Sequence, residues 1–254
     1  MALLRDQPRS AELGQGLEVL LVTRPASSAF APRAEVFPGG AVDPTDLDPE
    51  WSELASRLAF SAEVERHLLT TAVRETFEEC GVLLARDALG RPCRPELVAE
   101  LEELRRLVQA GHPERFLPGL KEAGLRPGWE DLAFCAHWVT PEGLPRIFDT
   151  RFFLAALPSG QMPGREPAGE LTGTRWVRPQ AALDEALQGR VVLLPPTRAV
   201  LEQLASRPTV SSALRFARTA RKVRIQPKLS EITSARYPGL DVQAVLGPRA
   251  PGEG

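Results

Sequence analysis

The sequence predicts an α/β fold in one domain with a C-terminal extension. Apolar runs of strand length alternate with longer segments in which apolar residues recur at every third or fourth position. No internal repeat is apparent, and 254 residues with 43% apolar content are enough for one large domain with an ordinary core. Beyond about Ile225 the patterning gives way to sequence rich in Pro, Gly and Ser. We therefore place the domain at residues 1–225 and read 226–254 as an extension with a mobile end.

Ala2 to Arg5 and Leu17 to Arg24 read as strands, the second apolar enough for the middle of a sheet. A further strand ends at Val36-Phe37 and runs into Pro38-Gly39-Gly40, a paired-glycine turn where backbone can approach a ligand. Asp43 to Pro49 reads as a loop, and Glu50 to Leu58 as a short helix with Trp51, Leu54 and Leu58 on one side. The next helix is expected to start near Ser61, an N-cap residue followed by Glu63 and Glu65 in the electropositive first turn. Its inward stripe is Val64, Leu68, Ala72 and Val73, and Gly81 supplies its left-handed cap. Val82 to Ala85 follows as a short buried strand. Pro95 to Gln109 is predicted as an amphipathic helix and Pro113 to Ala123 as a shorter one. Strands at Leu132 to Val139, Arg151 to Leu157 and Thr174 to Val177 precede helices at Gln180 to Gln188, Thr197 to Ser206 and Ser211 to Ala220.

The run Arg74-Glu75-Thr76-Phe77-Glu78-Glu79-Cys80-Gly81-Val82 carries the chemistry. At about 3.6 residues per turn, Glu75, Glu78 and Glu79 stand on one side of the helix. Like charges crowded there repel, whereas a multivalent cation between them would bind them together, and carboxylate oxygens suit Mg²⁺. Spacing alone also allows a solvated acidic face.

Together with Phe37-Pro38-Gly39-Gly40, the run Arg74-Glu75-x-x-Glu78-Glu79-x-Gly81-Val82 resembles the Nudix box, G-x5-E-x7-R-E-U-x-E-E-x-G-U, with U a bulky apolar residue. Thr76 stands where an apolar residue is usual. Thirty-three residues separate Gly40 from Arg74, where the signature has thirteen, so about twenty are inserted, which we place at about 43–62. The position eight residues before the arginine is Arg66, so the first carboxylate of the box is absent, moved to Glu65 or Glu63, or replaced from elsewhere. The interrupted box, Trp138-Val139-Thr140-Pro141-Glu142-Gly143, and Arg146-x-Phe148-Asp149-Thr150-Arg151-Phe152-Phe153 are similar to a subgroup of the family that contains a peroxisomal coenzyme A diphosphatase. The likeness continues through Glu170, Trp176 and Leu193-Leu194-Pro195-Pro196-Thr197.

The resemblance implies a Nudix-type α/β/α sandwich with a mixed central sheet, to which the helices at about 95–123 are additions. It implies a hydrolase that splits a diphosphate with Mg²⁺, or Mn²⁺ in its place, as cofactor. Coenzyme A or its acyl esters is the first substrate it suggests; ADP-ribose, dinucleotides and nucleoside triphosphates are alternatives. A non-catalytic module that binds a nucleotide is the reading from another class, motivated by Arg66 and by the insert. Matching the box residue by residue makes Glu78 and Glu79 metal ligands, Glu75 a third ligand or the general base, and the Gly39 carbonyl a further ligand. Arg74 then orients the glutamates. Glu170 is the other candidate base, from a loop ahead of the strand ending at Trp176. Arg24, Arg33, Arg146 and Arg151 are candidates to hold phosphates, although each alone reads as readily as a surface ion pair. Trp138, Phe148 and Phe152 are candidates to stack on a base and equally for the core.

A formal charge of −2 argues against general affinity for nucleic acid or a membrane surface, and only three of the 31 basic residues are lysine. No apolar run approaches the roughly 18 residues of a membrane span. Cys80, Cys93 and Cys135 show neither C-x-x-C spacing nor an even count, which fits a reducing cytoplasm rather than a disulfide framework or a zinc site. The expected partner is a small-molecule nucleotide substrate, and the C-terminal segment either wraps the domain or contributes to a homodimer.

Overall fold

A computed structural model describes residues 1–7, 16–28, 30–56, 64–144, 146–164 and 172–233. Strands β1 (Ala2–Asp6), β2 (Leu17–Thr23) and β3 (Ala34–Val36) lead to a 3₁₀ turn at Pro44–Leu47 and helix α1 (Pro49–Ser56). Helix α2 (Arg66–Cys80) and β4 (Ala85–Asp87) precede α3 (Pro95–Glu100), α4 (Glu102–Gln109), α5 (Phe116–Glu122) and β5 (Leu125–Pro127). Then come β6 (Ala133–Val139), β7 (Asp149–Ala156), β8 (Gly173–Val177), α6 (Pro179–Leu187), β9 (Val192–Leu193), α7 (Pro195–Ala205), α8 (Val210–Thr219) and β10 (Arg224–Ile225).

The main sheet runs β10-β6-β7-β1-β2-β3-β9, with β8 on β2. It is mixed: β1 lies parallel to β7 and antiparallel to β2. One edge of β2 takes β8 along Val19 to Thr23, while the other is shared, β1 pairing with residues 17–19 and β3 with Val22 and Thr23. The start of β1 and the end of β3 therefore meet beside the middle of β2, where the Met1 amino group donates to the Pro38 carbonyl. This seam fixes the place of the paired glycines.

Strand side chains alternate between faces, and the alternation divides the interior in two. Leu3, Leu20, Val22 and Phe153 join one core with Val73 and Phe77 of α2 and with Phe116 and Leu120 of α5. Ala2, Leu4, Val19, Leu21 and Leu154 join another with Leu183 of α6, Val200 and Leu201 of α7, and Ala213 and Ala217 of α8. The result is the predicted α/β/α sandwich with added helices.

Several expected boundaries move. Helix α2 begins at Arg66 with Glu65 as an N-cap that makes no side-chain bond, later than a start at Ser61 would give; Ser61 and Glu63 lie outside the described residues. The helix expected over Pro95 to Gln109 breaks at Leu101, whose φ of −88° and ψ of 9° leave the helical region and turn α3 into α4. Val82 to Leu84 are fully buried but are not a strand. Only Ala85–Asp87 pairs, with β5 in a separate two-stranded sheet, because the backbone of Leu83 is engaged by a side chain instead. Thr76, the polar residue at an apolar position of the box, is fully buried with its hydroxyl donating to the Ala72 carbonyl at 2.7 Å, so it brings no unsatisfied polar atom into the core. The extension expected over 226–254 is described only to Thr233, as far as a 3₁₀ turn at Leu229–Glu231; whatever its later part does lies outside the described residues. Among the described residues no helix is long and apolar enough to cross a membrane.

Candidate active site

Helix α2 is buried on two flanks. Leu69, Val73, Phe77 and Cys80 face the sheet, while Thr71, Arg74 and Glu75 are covered by the segment after Gly40. Gly81 ends the helix at φ 68°, with its N–H donating to Phe77 O at 2.9 Å. A left-handed cap of this kind is open to glycine at little cost, so the helix stops one turn after the first glutamate of the run.

Arg74 is the hub. Its Nε and Nη2 donate to the two carboxylate oxygens of Asp46, each at 2.9 Å, and Nη2 also reaches Ala41 O at 3.1 Å. Its Nη1 donates to Glu75 Oε1 at 3.0 Å and to Glu78 Oε2 at 3.2 Å. Burial works against the guanidinium, but the bonds it donates to Asp46 and the charges of Glu75, Asp46 and Glu78 outweigh it and hold the arginine protonated. Asp46 is only 2% exposed and also accepts from Thr71 Oγ1 at 2.8 Å, so its paired charge is fixed on several sides.

Asp46 is the carboxylate that the structure brings to Arg74, in keeping with an acid supplied from elsewhere than position 66. From Gly40, five residues intervene before Asp46, so the first half of the box is intact as G-x5-D, with aspartate where the signature has glutamate. Counted in this way, the inserted residues follow Asp46, within the stretch of about 43–62 expected for them. Glu65 is paired instead with His67 and Arg151, and Glu63 lies outside the described residues. Asp43 builds the turn that delivers Asp46: its side chain accepts from Thr45 N at 2.9 Å, and Asp46 accepts from Asp43 N at 3.0 Å, a reciprocal cap on the 3₁₀ turn.

Glu79 accepts from the backbone N–H of Gly39 at 2.8 Å. Gly39 therefore shows its amide to the glutamate here, where the resemblance offered its carbonyl as a ligand. Gly40 lies so close to Glu75 that a Cβ added to it would stand 2.5 Å from Glu75 Oε1, and only glycine leaves that carboxylate its place. Burial pushes the Glu79 carboxyl up to about 8; the Gly39 amide opposes the rise and the charges of Glu75 and Glu78 add to it. Glu75 is also raised, by burial first, with Arg74 opposing. Among the described residues no three side chains are gathered closely enough to hold an ion as they stand, because Arg74 and the Gly39 amide engage the three glutamates. The donor chemistry nevertheless fits a hard divalent ion: three neighbouring carboxylates, two of them disfavoured as free anions, beside a glycine turn with no side chain in the way.

The remaining candidates separate. Arg24 is committed to its own loop, with Nη2 to Ser28 Oγ at 2.6 Å and Nε to Phe30 O at 3.1 Å, so it serves as a loop staple rather than a free phosphate clamp. Arg151 pairs with Asp149, which also bonds His137 at 2.7 Å. Arg33 and Arg146 are exposed, Arg33 with a left-handed φ of 60°. Phe148 is exposed and packs on Phe30 with ring centroids 5.3 Å apart, whereas Trp138 and Phe152 pack against the second core. Glu170 lies outside the described residues. The flanking positions are anchored at the site: Gly164 N donates to Cys80 O at 2.8 Å, and Thr172 N to Thr23 O at 3.0 Å.

Three supports had no counterpart in the sequence reading. Arg105 and Gln109 of α4 donate to the last carbonyls of α2, and the buried amide of Gln161 exchanges two bonds with the backbone of Leu83.

Comparison with known proteins gives the family. The family model described as the NUDT19 Nudix domain matches residues 58–204. Two similar proteins bear the name acyl-coenzyme A diphosphatase NUDT19. That of Gallus gallus is 30% identical over 70% of this chain and 58% of its own length. That of Homo sapiens is 29% identical over 80% of this chain and 64% of its own. The chain thus spans less than two thirds of these relatives. A crystal structure of a NUDIX hydrolase from Alicyclobacillus acidocaldarius superimposes with a TM-score of 0.64 and 30% identity, covering 89% of this chain and 95% of the other.

Proposed function

We propose that this chain, which belongs to the Nudix hydrolase family, splits the diphosphate of coenzyme A or of an acyl-coenzyme A with Mg²⁺ bound at Glu75, Glu78 and Glu79. The reading rests on one observation above the others: a single buried arginine, locked by Asp46, holds two glutamates of α2 while the third is held by Gly39. The relatives named as acyl-coenzyme A diphosphatases support the substrate class.

Water attacks one phosphorus, its oxygen forming the new P–O bond, and the anhydride P–O bond breaks with the bridging oxygen leaving on the other phosphate. Adenosine 3′,5′-bisphosphate and phosphopantetheine, or its acyl form, are the products. When bound, the divalent ion supplies charge neutralisation of the diphosphate and a more acidic water. The chain's own part is to present carboxylates in a fixed array. Asp46 fixes Arg74, and Arg74 fixes Glu75 and Glu78. Either Glu75 or Glu170 accepts the proton of the attacking water. Arg33 and Arg146, both exposed, are left free to meet phosphate oxygens. The cysteines are unpaired, and burial pushes the Cys80 and Cys135 thiols up to about 12; the compartment this reading takes is the reducing cytoplasm.

Products are to be identified by mass spectrometry after incubation with coenzyme A, ADP-ribose, NADH and nucleoside triphosphates, in Mg²⁺ and then in EDTA. Adenosine 3′,5′-bisphosphate formed only with Mg²⁺ is the expected outcome. Metal-dependent cleavage of another member instead would overturn the substrate and keep the chemistry.

A further inference from the structure

The helix that carries the glutamates ends at the metal site, and that end is held by residues outside the box. The last carbonyls of an α-helix have no partner within it and carry the negative end of its dipole. In α2 the Phe77 carbonyl takes the Gly81 cap N–H, and side chains of α4 bond it and the Glu78 carbonyl as well. Arg105 Nε donates to Phe77 O at 3.0 Å and to Glu78 O at 3.2 Å. Gln109 Nε2 donates to Glu78 O at 2.7 Å. The Arg105 guanidinium lies against Gly81, where an added Cβ would stand 3.4 Å from Cζ, and the residue is only 8% exposed. Its Nη1 is steadied by Glu102 at 3.3 Å, while its Nη2 is buried without a partner among the described residues. Burying an arginine with one nitrogen unsatisfied costs stability, so packing alone gives no reason for it to be there.

Glu78 has its side chain on Arg74 and its main chain on Arg105 and Gln109. Its backbone and carboxylate are therefore positioned by two arginines from different parts of the sequence, one from the box and one from the added helices.

We infer that Arg105 and Gln109 are positioning residues of the metal centre, and that the added helical segment is present to hold the C-terminal turn of α2 so that Glu78 and Glu79 keep their aim. The inference rests on the metal-site reading but not on which diphosphate is cleaved. Freed of these donors, the last turn of α2 frays and the two carboxylates spread over more positions. Residues that orient metal ligands typically contribute about 10- to 100-fold in metal affinity.

The test is Mn²⁺ binding to the full chain followed by electron paramagnetic resonance of the free ion, without substrate, alongside turnover against metal concentration. Arg105→Met should weaken Mn²⁺ binding by about 10-fold and shift the metal concentration for half-maximal turnover by the same factor. The KM for substrate at saturating metal should not move. Arg105→Lys, which keeps a donor and the charge, should restore binding to within about 3-fold of the unaltered chain. Val108→Ala serves as the control for packing, because Val108 is a buried residue of the same helix that touches neither carbonyl through a side-chain donor.

Unchanged Mn²⁺ affinity in Arg105→Met, or an equal loss in Val108→Ala, would overturn the inference and leave the metal site standing. Absence of Mn²⁺ binding to the unaltered chain would overturn both.

Discussion

The two faces of the central sheet are built on different terms. The face under α6, α7 and α8 packs Val200, Leu201, Leu204, Ala213 and Ala217 on the strands, and Thr197 is the buried polar residue of those helices among the described residues. The face under α2 concentrates the buried polarity. Of the eleven buried polar or charged residues among those described, eight are in α2 or in the segments that hold it: Asp46, Thr70, Thr71, Arg74, Glu75, Thr76, Arg105 and Gln161. Buried charge is expensive, and a well-packed apolar cluster of similar volume is often as stable or more so. The polar face is therefore explained by what it does for the glutamates, while the apolar face supplies stability that this arrangement gives up.

Substitutions on each side can break that contrast. Glu79→Gln should reduce turnover by about 10³-fold, roughly 4 kcal/mol of transition-state stabilisation, without lowering Tm, since burial already disfavours the ionised carboxyl and the neutral amide keeps its shape. Turnover within about 10-fold of the unaltered chain, or a lower Tm by calorimetry, would contradict the division.

Asp46→Ala should cost both properties, about 3–5 kcal/mol of stability by chemical denaturation and most of the turnover, because it leaves Arg74 buried beside an empty place. Asp46→Glu, which restores the residue of the signature, tests whether the shorter side chain is required at the interrupted box. Leu201→Ala on the other face should cost about 2–5 kcal/mol and leave kcat unchanged below the melting transition, as expected for a cavity remote from the chemistry. A loss of kcat there would mean that the faces are coupled. Gly40→Ala is the finest probe. The new methyl displaces the flexible end of Glu75, so a roughly 10-fold fall in kcat, about 1.4 kcal/mol, is expected with little change in Tm.

Part of this was open to sequence reading. The main strands and helices were legible because their apolar periods are local, and the glutamates of α2 were legible because a helix converts spacing into proximity. Asp46 was within reach, since counting five residues on from Gly40 arrives at it. Counting back from Arg74 instead arrives at Arg66 and suggests that the acid has gone, because an insertion destroys spacing on one side of it and preserves it on the other. The break at Leu101 and the late start of α2 were not legible, as helix ends depend on what packs against them. Arg24 illustrates the converse: its residue type suits a phosphate, yet Ser28 and the Phe30 carbonyl take up its donors in the folded loop.

By itself the sequence determined the α/β class, the family and the three glutamates, since each is written in residues close together along the chain. Only the tertiary structure decided that Asp46 locks Arg74 across 28 positions, that Arg105 and Gln109 hold the end of α2, and that Gln161 satisfies Leu83 across 78. The physical reason is that a buried donor or acceptor must find a partner wherever the fold brings one, and sequence separation places no limit on which residue that is.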